Sequence, residues 1–305
     1  MASVTKPMML DETGKQIVDK LGNIITSLND LKKFELANGA GAHNSLYRGR
    51  DLTNVYTSSE ICDMIASGDL SDLYVGDYFK KTISSTYAGS EDVDIQIAGF
   101  NCYMNVGETP VTRNHAVVVM KDCSKKKAQM HVTSTGDYVA NDPANKTDGG
   151  YPATNMFTEV IPSFDNAFQA ALGSSHVINR VKGVLLANAM NKDLVPAGIP
   201  SSKGATTGWA WMDERFGLMT ESELYGSPVF SSSGYDTGEA CIQLPLFSLN
   251  PAARIAGLGR GGSRMWYWLR NVATSADFCG CGSDGRAYYG SASVAGGVRL
   301  RFLIG

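Results

Sequence analysis

Residues 263–305 read SRMWYWLRNVATSADFCGCGSDGRAYYGSASVAGGVRLRFLIG, and this stretch decides the fold. At its end Val298, Leu300, Phe302 and Ile304 alternate with Arg299, Arg301 and Leu303. That period of two predicts a strand with one apolar and one mostly basic face. So regular a strand must pair inside the domain, because an open edge invites association; the C-terminus is therefore expected to close the structure. At the other end stands a dense aromatic block, Trp266, Tyr267 and Trp268, followed by Leu269 and Arg270. Between Phe278 and Gly297 the residues are small, polar and dotted with Tyr, without apolar periodicity. The flanks are expected to build a frame, and the middle to decorate its surface.

The composition of that middle is restricted. From 269 to 305 there is no Lys, Glu, Gln, Met, His, Pro or Trp. Cys, Gly, Ser, Asp, Arg, Tyr, Ala and Val can all be reached from an Asn codon by changing adenines alone; Lys, Glu, Gln, Met and Trp cannot. Tyr also offers contact area at low rotamer entropy, and small residues adapt to a partner. A Gly/Ser-rich loop of no special meaning accounts for the composition equally well.

Moving outward, the N-terminal segment carries Ile17, Leu21, Ile24, Leu28 and Leu31 at gaps of 4, 3, 4 and 3, a heptad seam. Leu21 and Leu28 fall at a, and Ile17, Ile24 and Leu31 at d. Leu at a with Ile at d favours three or four strands, and Val18 and Ile25 widen the seam the same way. The alternative is one amphipathic helix packed on its own domain. Ala37 to Ala42, ANGAGA, reads as a helix stop. Residues 1–42 are therefore expected to form a helical oligomerisation or attachment segment, and 43–305 one domain.

That domain reads as α+β. Ser58–Ala66 is a helix candidate capped by Ser58 or Ser59, and Tyr74–Ile83 a strand candidate. Val93, Ile95, Ile97 and Phe100 suggest a half-buried strand, and Ala116–Met120 a buried one. Residues 135–155 read as a polar loop. Phe157–Leu172 has helical spacing interrupted by Pro162, and Val177–Met190 suggests a second helix. Ser201–Ser263 reads as mostly irregular, anchored by Trp209 and Trp211.

Composition excludes several classes. With 27 Lys and Arg against 30 Asp and Glu, no basic field for nucleic acid is present. No stretch is apolar and long enough to span a membrane, and no signal peptide opens the chain, so synthesis in a cytosol is expected. The six cysteines show no pairing rhythm and are expected as free thiols. Gly257 to Gly262 formally matches a dinucleotide fingerprint but lacks a strand–helix frame, so a tight or mobile turn is the better reading. Cys279 and Cys281 lack further metal ligands near them in sequence, and their i, i+2 spacing suits a mutual disulfide poorly. His43, His115, His131 and His176 are dispersed, and His115 reads as a satisfied, half-buried histidine. Asn145-Lys-Thr147 is a sequon expected to mean only a polar loop. No catalytic residue, metal site or cofactor is predicted.

The C-terminal WYWLRNVATSADF…GRAYYGSAS…GGVRLRF resembles phage proteins with a C-type-lectin-like fold, which close on a W-W-L-R block, a variegated stretch and a G-V-R-x-x-F strand. Tyr47-Arg-Gly-Arg-Asp-Leu, Asp72-Leu-Tyr-Val-Gly-Asp-Tyr78, the strand opened by His115, and Gln243-Leu-Pro-Leu-Phe247 fit the same group in the same order. Leu300-Arg301 replaces the group's usual Pro-Ala-like pair. The resemblance covers roughly residues 45–305. It implies a lectin-like fold of the formylglycine-generating-enzyme-like subclass, and it includes target proteins of diversity-generating retroelements. By that likeness the variable, ligand-binding positions are Cys279, Gly280, Cys281, Gly282, Ser283, Asp284, Arg286, Tyr288, Gly290, Ser291, Val294 and Gly296, within a variable surface at 263–297. Tyr289 counts there among the fixed residues and, with Tyr288 and Arg286, among the larger anchors. The scaffold is Trp266, Trp268, Arg270, Phe278, Val298, Arg299 and Phe302. The resemblance further implies a virion protein, a homotrimer joined to other virion proteins through its N-terminal segment. It would be exposed on the particle to a host-surface protein or glycan. A structural capsid-decorating or head-fibre protein is the alternative, and a formylglycine-generating-type enzyme using Cys279 and Cys281 a more distant one. The Glu-Pro-Asn, Gln-Pro-Asp and Trp-Asn-Asp motifs of calcium-dependent sugar binders are absent, and Asn141-Asp-Pro143 reads only as a turn.

Overall fold

The computed structural model describes residues 12–38, 40–105, 111–133, 147, 150–185, 209–231 and 242–305. Asn141-Asp-Pro143, Asn145, Lys146, Cys241 and most of the polar 135–155 stretch lie outside them. So do 186–190 of the expected second helix, and 201–208 and 232–241 of the expected irregular region.

Helix α1, Glu12–Asn38, is continuous over the heptad seam, and α2, Ala40–His43, follows directly. The ANGAGA stop therefore does not end helical structure altogether. Ile17, Val18, Leu21, Ile24, Ile25 and Leu28 are each 53–59% exposed, so the seam is uncovered over these positions. Helix α3, Ser58–Ser67, is capped by Thr57, one residue earlier than expected. Thr57 and Glu60 form a reciprocal capping box, which satisfies two backbone N–H groups at once.

Strands β1, Tyr78–Ser85, and β2, Gly89–Phe100, form an antiparallel hairpin. The expected strand at Tyr74–Ile83 starts later because Tyr74–Asp77 is a turn, its Tyr74 N–H donating to the Asp77 carboxylate at 2.8 Å. Buried Asp77 also accepts from Arg48 Nε and Nη2, while Arg48 Nη1 reaches the Asp72 carboxylate at 2.6 Å. The two motifs around residues 47–52 and 72–78 are thus one polar knot.

Strand β3, Ala116–Met120, is buried throughout. At its head His115 is fully buried, not half-buried; its Nε2 accepts the Tyr103 N–H, and its Nδ1 lies 3.0 Å from the Arg113 carbonyl. A π-helical turn, Met156–Val160, leads into α4, Ile161–Leu172. Pro162 sits in the first turn of α4, just where the π-helical turn gives way to regular α-helix, so helical structure continues across it and only its type changes.

The helix expected over Val177–Met190 is not formed. Val177–Ile178 is β4, and Arg180–Leu185 is β5. β-branched residues facing a ready strand pair better than they coil. Strand β6, Trp209–Glu214, pairs with β5, and β7, Phe216–Leu218, follows. The region expected to be irregular therefore holds strands, and also two short helices, α5, Glu221–Tyr225, and α6, Pro245–Leu249. The Gly257–Gly262 motif is a turn between β8, Ala256–Gly257, and β9, Arg264–Met265. The Asp122 carboxylate pins it, accepting the N–H groups of Gly257 at 2.7 Å and Gly261 at 2.9 Å.

Strands β10, Tyr267–Val272, β11, Asp277–Cys281, and β12, Ala287–Ser291, make a separate three-stranded antiparallel sheet with β12 outermost. Strand β13, Leu300–Ile304, lies inside the main sheet, in the order β1-β2-β3-β13-β4, with β7 also paired to β13. The terminal strand is thus central. The molecule is a mixed α+β structure built on this antiparallel sheet.

The basic face expected on the terminal strand is corrected by the structure: Arg299 and Arg301 are wholly buried. Phe302 packs against Phe168 and Phe216 at ring distances of 4.8 and 4.4 Å. Arg301 instead meets buried Glu214 at 3.0 Å and Glu223 at 3.3 Å. Arg299 donates to the Met120 carbonyl at 2.7 Å and to the Tyr267 hydroxyl at 3.0 Å. Both faces of the strand are covered, and charge inside the core is tolerated because it is paired and hydrogen-bonded.

Candidate ligand-binding surface

The three-stranded sheet rests on Trp268, Phe278 and Val272, all buried. The Trp268 indole N–H donates to the Ala128 carbonyl at 2.9 Å, which locks the ring. Residues 292–297 are sewn back onto the core: Ala128 and Gly296 exchange two backbone hydrogen bonds of 2.9 Å, and Met130 N–H donates to Ala292. Arg270, Val298, Arg299 and Phe302 are buried as well, while Trp266 is half-buried at the rim.

From Trp266 a row of rings runs outward. Trp266 meets Trp268 edge-on at 4.7 Å and Tyr288 at 5.3 Å. Tyr288 stacks on Tyr289 at 6.4 Å, and Tyr289 meets Phe230 edge-on at 5.0 Å. Such spacings are those of favourable aromatic pairs. Tyr288 is 43% and Tyr289 46% exposed, so the row starts in the core and ends in solvent.

The β11–β12 turn is short and closed. Gly282 N–H donates to the Arg286 carbonyl at 2.7 Å, and Gly285 takes a left-handed φ of 84°. Asp284 and Arg286, both exposed, pair at 2.6 Å on its tip. The hydrogen bond from Arg286 holds the Asp284 carboxyl below its ordinary range.

The twelve positions implied as variable fall into two groups. Ser283, Asp284, Arg286 and Tyr288 are exposed, and Gly282, Gly290, Ser291 and Val294 are partly so. Cys279, Gly280, Cys281 and Gly296 are buried, contrary to the expectation that they line the surface. Cys279 and Cys281 stand on β11, the middle strand, and both are fully buried. A Cβ on Gly296 would lie 2.5 Å from Trp266 and 2.8 Å from Trp268. Both cysteines are free thiols, and burial pushes the Cys281 thiol up. Among the described residues no group of three or more His, Cys, Asp or Glu is placed to hold a metal ion, and no helix is long and apolar enough to cross a membrane.

Val229 and Phe230 belong to the same surface and were not expected from the sequence. They are 51% and 41% exposed. A Gly-Ser-Pro turn signal at 226–228 precedes them, but no periodicity marks the pair. Comparison with protein-family models, curated proteins and solved structures returns no match for this chain.

Proposed function

We propose that this chain is a bacteriophage virion protein, a fibre or receptor-binding subunit, whose C-type-lectin-like domain over 43–305 displays a diversified surface to a host-cell or environmental ligand. The observation that carries the reading is the split within residues 278–296. Buried Trp268 and Phe278 hold a rigid sheet, and the side chains it holds out are Ser283, Asp284, Arg286, Tyr288 and Tyr289. A stiff backbone with replaceable side chains is what a recognition surface requires. The reading is of a binding protein: Cys279 and Cys281, the cysteines a formylglycine-generating-type enzyme would use here, are buried, and burial pushes the Cys281 thiol up, away from the thiolate that such chemistry needs. The uncovered seam of α1 supports self-association into a trimer and attachment to other virion proteins. Several weak sites on one particle then bind with high effective affinity.

Replacing Asp284, Arg286 and Tyr288 together with Ala is expected to abolish particle attachment to host cells while the melting temperature stays nearly unchanged. A large fall in melting temperature would place these side chains in the core and end the proposal. The diversification itself is tested in the flanking DNA. A near-copy of the codons for 263–305, differing opposite adenines and lying beside a reverse transcriptase gene, is the expected arrangement.

A further inference from the structure

We infer that a cavity of about 220 Å³, between the polar face of the main sheet and the segment 250–255, is a binding site for a small organic carboxylate that pairs with Lys121. The site is separate from the recognition surface proposed for residues 278–296, and either can fail without the other.

The cavity is built from fixed parts. Tyr78 on β1 and Gln96 on β2 are directly opposed in register, so their side chains share one face of the sheet. Gln96 lines the cavity, is buried, and donates its amide to the Gly76 carbonyl at 3.0 Å. Lys121, one residue past β3, is tied back to β2 because its N–H donates to the Asp94 carbonyl at 2.8 Å. It also lines the cavity, and its ammonium lies over the Tyr78 ring, 3.7 Å from the centroid. One wall is Tyr47, whose ring lies across the bare backbone of Gly49 and Gly76; a Cβ on either would strike it. The opposite wall is Asn250, Ala252, Ala253 and Ile255. A site whose walls are already held spends little binding energy on ordering itself.

The charges around the cavity select the ligand. The carboxylates are committed. Asp122 accepts the Gly257 and Gly261 N–H groups at 2.7 and 2.9 Å. Asp94 pairs with Arg260 at 2.8 Å, and Asp51 accepts the Thr53 N–H at 2.9 Å. The Lys121 ammonium pairs with no described carboxylate. The Tyr47 hydroxyl and the Asn250 side-chain amide have no hydrogen-bond partner among the described residues. All three groups donate, and one of them is charged, so the complement is an anionic acceptor. A single negative charge matches one ammonium. A doubly charged phosphate would meet stronger repulsion from Asp51, Asp94 and Asp122. The Tyr47 ring, Ala252, Ala253 and Ile255 offer apolar surface to the rest of the molecule. The volume lies below the roughly 300 Å³ at which drug-sized pockets begin, which limits the body to a single ring or a short branched chain.

The test uses the full chain, with cyclohexanecarboxylate as the probe, in a saturation-transfer NMR titration at low salt. Its amide, of the same shape without the charge, and glucuronate, with the same head on a hydroxylated ring, are the comparisons. Cyclohexanecarboxylate is expected to bind and its amide to bind roughly tenfold more weakly or worse, the loss of one charge-assisted bond. Lys121→Met, which keeps the stem and removes the charge, should weaken binding by a similar factor, and Lys121→Arg should keep most of it. Lys126→Met is the control, because it removes an ammonium from the Tyr87 ring outside the cavity. It should bind as the parent does. Melting temperatures check that each variant folds. Equal binding of carboxylate and amide, or binding untouched by Lys121→Met, overturns the site. Tighter binding of glucuronate overturns the apolar body. No binding of any probe overturns the inference as a whole and leaves the proposed recognition surface standing.

Discussion

At the scale of single residues, burial and not composition separates positions that can vary from positions that cannot. Cys279 and Cys281 look like their Gly and Ser neighbours in sequence, yet both are fully buried, the Cys281 thiol against the Arg254 carbonyl. Neither is expected to react with iodoacetamide at mildly alkaline pH in the folded chain, and both should react once it is unfolded. Peptide mass spectrometry reads this directly, and rapid native labelling would put them in solvent. Gly296 is constrained by the two tryptophans its Cβ would strike. Gly296→Ala should cost about 1–3 kcal/mol, whereas Ser283→Ala, at an exposed turn, should stay within about 0.5 kcal/mol. Chemical denaturation distinguishes the two. Equal and small effects would mean that the Trp266–Trp268 corner is loose.

At the scale of elements, the terminal strand carries a fully buried ion-pair cluster. Arg301 lies between Glu214 and Glu223, and Tyr103 donates its hydroxyl to the same Glu223. Removing the cation leaves two carboxylates in the core without it. Arg301→Leu is therefore expected to destabilise the chain by about 3–5 kcal/mol, read from the urea midpoint. An unchanged midpoint would show that the ion pairs contribute nothing net. The alternation of residues 298–304 announced a strand, but alternation alone assigns one face to water. It missed that other elements cover both faces of the strand: Phe302 packs on Phe168 and Phe216, and Arg301 meets Glu214 and Glu223, partners distant in the chain. The expected helix at Val177–Met190 failed for a related reason. Its first residues pair with Leu303 and Ile304 of that strand, and a local propensity argument does not see a pairing partner so far along the chain.

At the scale of the whole molecule, α1 presents an apolar seam that the rest of the described chain leaves open. A second and third copy are the proposed cover. Leu21→Asp combined with Leu28→Asp should convert an oligomer into a monomer in sedimentation velocity, with the melting of the 43–305 domain unchanged. A parent chain that already sediments as a monomer would remove the oligomer from the proposal. Under the proposed function the copies would matter, because several weak sites held together bind with higher effective affinity.

Read alone, the chain determined its α+β class, the buried strand at Ala116–Met120, the heptad helix, the terminal strand, and the contrast between an aromatic frame and a small-residue segment. Those are local signals, carried by periods of two, three and four residues. The tertiary structure alone decided which of the twelve implied variable positions reach solvent, where Arg299 and Arg301 lie, and that Phe230 meets Tyr289. Burial and long-range pairing bring together residues separated by tens to hundreds of positions, and no local pattern in the chain encodes that distance.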